Sequence, residues 1–222
     1  MTGSATGALT GRISEPRPTG LRRFTTPRPP REERCELCGV PLAGERHRHL
    51  VDIDRRAMVC ACGPCSQLMD RSGTDRGRFR AVPDRHLSDP EHRIDDRAWE
   101  SLRIPVSVAF FFRNSALDRP VALYPSPAGA TESELEEESW RRVLDATRLA
   151  ALLEPDVEAL LLRRHDGRTE CFLVPIDLCY ELVGRMRLLW QGFDGGAEAR
   201  ADLDALFTHV RGLARAPREG RP

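Results

Sequence analysis

Lysine is missing from this sequence: all 34 basic residues are arginine, and they balance 34 aspartates and glutamates. Because the formal net charge is zero, the chain lacks the basic excess that is typical of nucleic-acid-binding proteins. A long apolar run is missing too, since the longest one, at 104–112, is interrupted by Pro105 and Ser107. A membrane-spanning helix requires roughly 20 apolar residues. We therefore expect a soluble protein that does not insert into a membrane and is not built to bind nucleic acid.

The common catalytic signatures are also missing. The sequence has no phosphate-binding loop of the P-loop type, no glycine-rich dinucleotide fingerprint, no nucleophile elbow and no HExxH helix. His86, His92, His165 and His209 have no catalytic partner that the sequence pattern reveals. The sequence therefore indicates no catalytic residue and favours a function other than catalysis.

Seven cysteines are present, and no secretory leader is recognisable. The pair Arg22 and Arg23 resembles the start of a twin-arginine signal, but the residues that follow are proline-rich and charged rather than apolar. Clustered cysteines in a reducing compartment are more often metal ligands than disulfides. We therefore expect a cytoplasmic protein with a metal site.

Composition divides the chain into five segments. Residues 1–30 are rich in Gly, Thr, Pro and Arg, which predicts a disordered tail. Most of the cysteines fall in 31–70, and 71–93 has few apolar residues, which indicates a linker. Regular hydrophobic patterns occupy 94–214, and 215–222 is expected to be a second disordered tail.

Two hairpin-and-helix units are predicted after residue 94. Their strands are β-rich runs at 106–113, 121–124, 157–162 and 169–174, and Asp166-Gly167 marks a tight turn between the last two. Thr131 and Glu134 form a capping-box pattern before one predicted helix, and further helices are expected from 176 and after 196. This order predicts an α+β fold in which an antiparallel sheet of about four strands is backed by helices on one face.

The strongest pattern is a pair of Cys-x-x-Cys motifs, Cys35/Cys38 and Cys62/Cys65, separated by 23 residues. Two such pairs on tight turns complete a tetrahedral four-sulfur site, and the spacing is typical of a zinc ribbon or a rubredoxin-like module. Gly39 follows the first pair, where a knuckle requires a left-handed residue. We predict a closed, structural Zn²⁺ site with these four ligands.

Four alternatives remain open. Cys60 is a substitute for Cys62 as the third ligand, and iron in the same cage would give a one-electron carrier. His47 and His49 lie between the motifs and share a strand face, which gives a weak similarity to HNH nucleases. Cys62-Gly63-Pro64-Cys65 also matches a thioredoxin-type tetrad, which would require the start of a helix after a buried strand.

Several stretches form a recognisable set: LRRF at 21–24, CELC at 35–38, AFFFR at 109–113, YPSPAGATES at 124–133, VPID at 174–177, CYELVG at 179–184 and WQGFDGG at 190–196. Together they resemble an uncharacterised actinobacterial family, over roughly residues 21–213. Genes of that family lie near those of high-affinity nickel-iron hydrogenases. The resemblance implies an accessory or adaptor role in hydrogenase assembly or maturation, with a hydrogenase subunit or assembly factor as the partner.

Overall fold

The computed structural model describes residues 32–42, 47–70, 77–134, 136–192 and 195–217. Arg34–Pro222 forms one compact unit, and Met1–Glu33 is assigned to another. The tail predicted at 1–30, and residues 218–222 of the tail predicted at 215–222, lie outside the described residues. None of the helices among the described residues has the length and apolar content to span a bilayer.

Nine strands and five α-helices are present among the described residues. The strands are β1 (Arg48–Asp52), β2 (Ala57–Ala61), β3 (Phe79–Ala81), β4 (Leu87–Ser88), β5 (Val108–Asn114), β6 (Arg119–Ser126), β7 (Gly129–Glu132), β8 (Glu158–His165) and β9 (Arg168–Pro175). The helices are α1 (Gly63–Asp70), α2 (Asp96–Ser101), α3 (Glu137–Asp145), α4 (Ile176–Leu189) and α5 (Gly196–Leu213), with a 3₁₀ turn at Arg148–Leu152.

The larger sheet has six antiparallel strands in the order β4-β9-β8-β5-β6-β7. The predicted hairpins β5–β6 and β8–β9 are confirmed. In the second hairpin, Asp166 and Gly167 have φ values of 50° and 69°, the positive pair that a two-residue hairpin turn requires. The predicted α+β class holds, but the sheet has six strands instead of about four. The two additional strands have weak sequence signals, because β4 has only two residues and β7 alternates half-buried and exposed residues.

Helices cover both faces of this sheet, so the prediction of helices on one face was wrong. On one face α4 and α5 pack on Phe110, Leu161 and Val174. On the other face α2, α3 and the 3₁₀ turn pack on Phe111 and Leu160. A strand that is buried on both sides has a continuous rather than an alternating apolar pattern, as β5 and β8 do.

The capping box predicted at Thr131 and Glu134 does not form. Gly129, with φ at 117°, lets the chain reverse after β6, so Thr131 pairs with Tyr124 in β7 instead of starting a helix. Helix α3 begins later, after Glu136, which makes no side-chain capping hydrogen bond. The helices predicted from 176 and after 196 are confirmed as α4 and α5.

The smaller sheet has the order β2-β1-β3 and carries two different faces. Leu50 and Ala61 point into a small core with Cys35. Because successive strand residues alternate between faces, the cross-strand pairs His49–Cys60 and Val51–Met58 belong to the opposite face. Val51 packs there against the core of the larger sheet, so the hairpin lies between the cysteine cluster and the rest of the fold.

The segment predicted to be a linker contains β3 and β4 within its described residues, 77–93. Arg85 donates two hydrogen bonds to the fully buried carboxylate of Glu158 in β8, at 2.8 and 2.5 Å. Asp89, also buried, accepts hydrogen bonds from the Thr147 hydroxyl and the Arg148 backbone. Polar side chains thus hold this segment on the sheet. Arg215, expected in a tail, pairs with Leu87 of β4.

Asp52 is a buried carboxylate whose ionisation is predicted to make folding stability depend on pH. Hydrogen bonds from Arg78, one of them 2.7 Å long, lower its pKa, and burial opposes them without reversing the shift. A carboxylate with a lowered pKa contributes stability above its unfolded pKa of about 3.9, and this contribution is lost as pH falls through the folded pKa. We expect the stability difference between wild type and Asp52→Asn to shrink on acidification.

Urea unfolding from neutral to acid pH measures this difference. The matched control is Asp54→Asn, because the Asp54 side chain is 74% exposed and its carboxylate comes no nearer to the Arg78 guanidinium than 3.9 Å. A stability difference between wild type and Asp52→Asn that stays constant with pH would contradict the assignment.

Candidate metal centre

The first Cys-x-x-Cys pair lies on a tight turn before β1. The backbone N–H of Cys35 donates to the Val40 carbonyl at 2.9 Å, and that of Gly39 donates to the Cys35 carbonyl at 2.8 Å. Gly39 has φ at 77°, as the sequence predicts for a residue that closes a knuckle. This turn projects Cys35 and Cys38 toward the same point.

The second pair lies at the start of a helix. Cys62 follows β2, and α1 begins at Gly63, so Cys65 is in its first turn. The Ser66 backbone N–H donates to the Cys62 carbonyl at 2.9 Å. Pro64 suits this position, because the backbone N–H that proline lacks would have no hydrogen-bond partner within the first turn of the helix.

The order of elements is therefore knuckle, hairpin and helix. The zinc-ribbon prediction placed the second pair on a tight turn, whereas in the structure this pair lies where β2 ends and α1 begins. The difference arises because the residues after Cys62 continue as a helix instead of returning as a strand.

Glu36 attaches the knuckle to the hairpin. Its backbone N–H donates to the Cys60 carbonyl at 2.9 Å, and its side chain accepts from the Cys60 backbone N–H at 2.8 Å. Since β2 is an edge strand of its sheet, these bonds use main-chain groups that the sheet leaves unpaired. Glu36 thereby fixes the position of the Cys35/Cys38 pair relative to the Cys62/Cys65 pair.

The four sulfur atoms of Cys35, Cys38, Cys62 and Cys65 lie within 4.8 Å of one another. The Sγ atoms of Cys38 and Cys62 are 3.7 Å apart. Sulfurs bound to one Zn²⁺ at about 2.3 Å in a tetrahedron are about 3.8 Å apart, whereas a disulfide holds them at about 2.05 Å. The arrangement fits a four-coordinate ion, and all four cysteines are free thiols.

The surroundings of the cluster differ from one sulfur to the next. Burial raises the pKa of Cys35, but backbone N–H groups of Cys62, Cys38 and Leu37 outweigh it and bring the pKa to about 6. Hydrogen bonding to the thiols of Cys62 and Cys38 raises the pKa of Cys65 to about 12. Cys35 is thus ready to be a thiolate, while ionising Cys65 at neutral pH requires a cation beside it.

The remaining cysteines lie elsewhere. Cys60 is grouped with His47 and His49 on the other face of the hairpin, not with the four sulfurs. Cys171 and Cys179 are buried in the two cores on either side of the larger sheet, and burial raises the pKa of both thiols.

The fold and the cluster define a small α+β protein with a four-cysteine group whose geometry suits a metal ion. The chain belongs to a family of unknown function, DUF5947, which matches residues 34–214. The match begins one residue before Cys35 and ends after α5, so the cysteine cluster and the larger sheet belong to the same family unit. No curated protein and no solved structure matches the chain.

Proposed function

We propose that this chain is a non-enzymatic metal-binding accessory protein in which Cys35, Cys38, Cys62 and Cys65 hold a structural Zn²⁺. The observation that carries the proposal is the convergence of these sulfurs, with one S–S separation at the edge length of a zinc tetrahedron. Four thiolates fill the coordination shell, so such an ion stabilises the fold and leaves no position for a substrate. This supports a binding role over catalysis.

Visible absorption of the purified chain separates zinc from iron in this site. We expect a colourless protein with zinc, because the second cysteine pair opens a helix and lacks the glycine-closed turn of the first. Thiolate-to-iron absorption would instead support the one-electron carrier.

The proposed partner is a nickel-iron hydrogenase subunit or one of its assembly factors. This part of the proposal is supported by the sequence resemblance described above, which extends across both the cysteine cluster and the sheet. The zinc would act indirectly, by holding the knuckle, hairpin and α1 in the shape that a partner recognises.

Affinity purification of the full-length chain from its native host tests the partner. We expect hydrogenase-related proteins to be recovered with the wild type and with Cys179→Ser, and to be lost with Cys62→Ser. Recovery of no hydrogenase-related protein with the wild type counts against the partner assignment. It would leave the zinc assignment standing, since that is measured separately.

A further inference from the structure

Two histidines and a cysteine meet on the hairpin face opposite the four sulfurs. The Nε2 atoms of His47 and His49 are 3.1 Å apart, with their rings edge to face at 78°. The Cys60 sulfur lies within 4.8 Å of both imidazole ligand atoms. His49 and Cys60 are directly paired across β1 and β2, so the backbone itself brings them together.

The distance between the two nitrogens fits a shared metal ion. Two nitrogens bound at about 2.05 Å are about 2.9 Å apart at a right angle and about 3.3 Å apart at the tetrahedral angle. The separation of 3.1 Å lies between these limits. A thiolate on the same ion would lie about 3.5 Å from each nitrogen. Because the present separation is at most 4.8 Å, Cys60 would approach by no more than about 1.3 Å.

Asp177, at the start of α4, orients one of the two rings. Its carboxylate lies 2.7 Å from Nδ1 of His49, while its other oxygen accepts the Leu178 backbone N–H. Because a carboxylate only accepts, the proton of the neutral ring lies on Nδ1, which leaves a lone pair on Nε2. A histidine ligand held by a carboxylate through its other nitrogen is the usual outer-shell arrangement at metal sites.

The group opens into a cleft of about 1060 Å³ between the hairpin and helices α4 and α5. The cleft is lined by four of the six histidines of the chain, namely His47, His49, His86 and His209. Asp84 and Glu181 add carboxylates to its wall. Two of the three candidate ligands, His47 and His49, line this cleft, and a site with three protein ligands leaves a coordination position for a water or a small ligand.

We propose that His47, His49 and Cys60 form a second metal site, for a late first-row divalent ion such as Zn²⁺, whose open position faces this cleft. Mixed imidazole and thiolate donors suit this class of ion. The site is independent of the four-cysteine site, because it uses different residues on the opposite face of the hairpin. Asp177 is a positioning residue that acts through His49.

Titration with Co²⁺ of the full-length chain carrying one equivalent of Zn²⁺, enough for the four-cysteine site alone, tests the site. We expect one further equivalent to bind, with visible bands and a thiolate-to-cobalt band in the near ultraviolet. Added imidazole should shift the visible bands, because it takes the open position. Cys60→Ser should abolish the thiolate band, and its backbone bonds to Glu36 keep the hairpin in place.

The second part of the test measures Co²⁺ binding to variants of the histidine and carboxylate residues. His49→Ala should lose the further equivalent while keeping the four-cysteine zinc. Asp177→Asn should weaken Co²⁺ binding about 10- to 100-fold, as loss of an outer-shell partner does. His165→Ala is the matched control, since His165 is exposed at the end of β8. Circular dichroism identifies any variant that does not fold. If His49→Ala does not fold, His47→Ala replaces it.

Three outcomes would overturn the proposal. The first is a wild-type chain that binds no further Co²⁺. The second is binding that persists unchanged in the His47→Ala, His49→Ala and Cys60→Ser variants. The third is weakening by His165→Ala as large as that by Asp177→Asn. None of these outcomes bears on the assignment of the four-cysteine site. The zinc in that site stays bound during the Co²⁺ titration and is measured separately.

Discussion

Cys38→Ser and Cys62→Ser are each expected to lose the ion at the four-sulfur site and to unfold the region from the knuckle to β3. The core beneath this region is small: its fully buried members are Cys35, Leu50 and Ala61. Structural zinc in comparably small modules contributes an apparent 10 to 16 kcal/mol at about neutral pH. A region with so little apolar burial cannot replace that contribution, so metal loss and loss of structure should coincide.

Metal content and protection of backbone amides from hydrogen exchange measure the two effects together. Cys179→Ser is the matched control, because it also replaces one sulfur by oxygen but lies in the core beneath α4. We expect it to cost about 1 to 3 kcal/mol through burial of a hydroxyl and to leave the metal content unchanged. Normal zinc content in both ligand variants would contradict the site.

Glu158→Ala is expected to destabilise the larger sheet by about 1.5 to 3 kcal/mol, the usual contribution of hydrogen bonds to a charged group, because the Arg85 side chain that remains is 35% exposed. Glu158 is fully buried at the start of β8 and receives two hydrogen bonds from Arg85 and one from the Glu154 backbone. Removing it leaves the Arg85 guanidinium without its main partner and frees the segment that carries β4.

Urea unfolding measures this loss. The control is Glu132→Ala, which removes a similar pair with Arg119 whose side chains are 45% and 48% exposed. Exposed pairs contribute about 0 to 1 kcal/mol, so the control should be close to wild type. Equal losses in the two variants would show that the Arg85–Glu158 pair does not hold this segment on the sheet.

Local chemistry in the sequence predicted the parts of the fold that depend on neighbouring residues. Asp166-Gly167 specifies its turn because both residues tolerate positive φ, and the hairpin around it follows. Gly39 marks the knuckle for the same reason. The apolar spacing after Ile176 predicts α4, whose buried face includes Cys179 and Leu182.

Contacts between distant residues could not be predicted in this way. Arg85 and Asp89 fall in a segment with few apolar residues, and their buried partners, 73 and 58 residues away, help to hold that segment in the fold. Helices on both faces of the sheet likewise depend on packing that no single stretch of sequence specifies.

The candidate sites show the same limit. The two Cys-x-x-Cys pairs are visible in the sequence, because each pair is local and the pattern is specific. His47 and His49 share a strand face, which is also a local signal, but their grouping with Cys60 depends on the register of β1 and β2. Asp177 lies 128 residues beyond His49 and has no sequence signal of its own.

Cadmium-113 NMR of the full-length chain, after exchange of its metal for cadmium, tests the four-sulfur site most directly, because each bound ion gives its own resonance. We predict one strongly deshielded resonance of the four-thiolate type, which is lost in Cys38→Ser and kept in both Cys179→Ser and His49→Ala. A chain that gives no such resonance, and that is isolated free of metal and insensitive to chelators, would contradict the account.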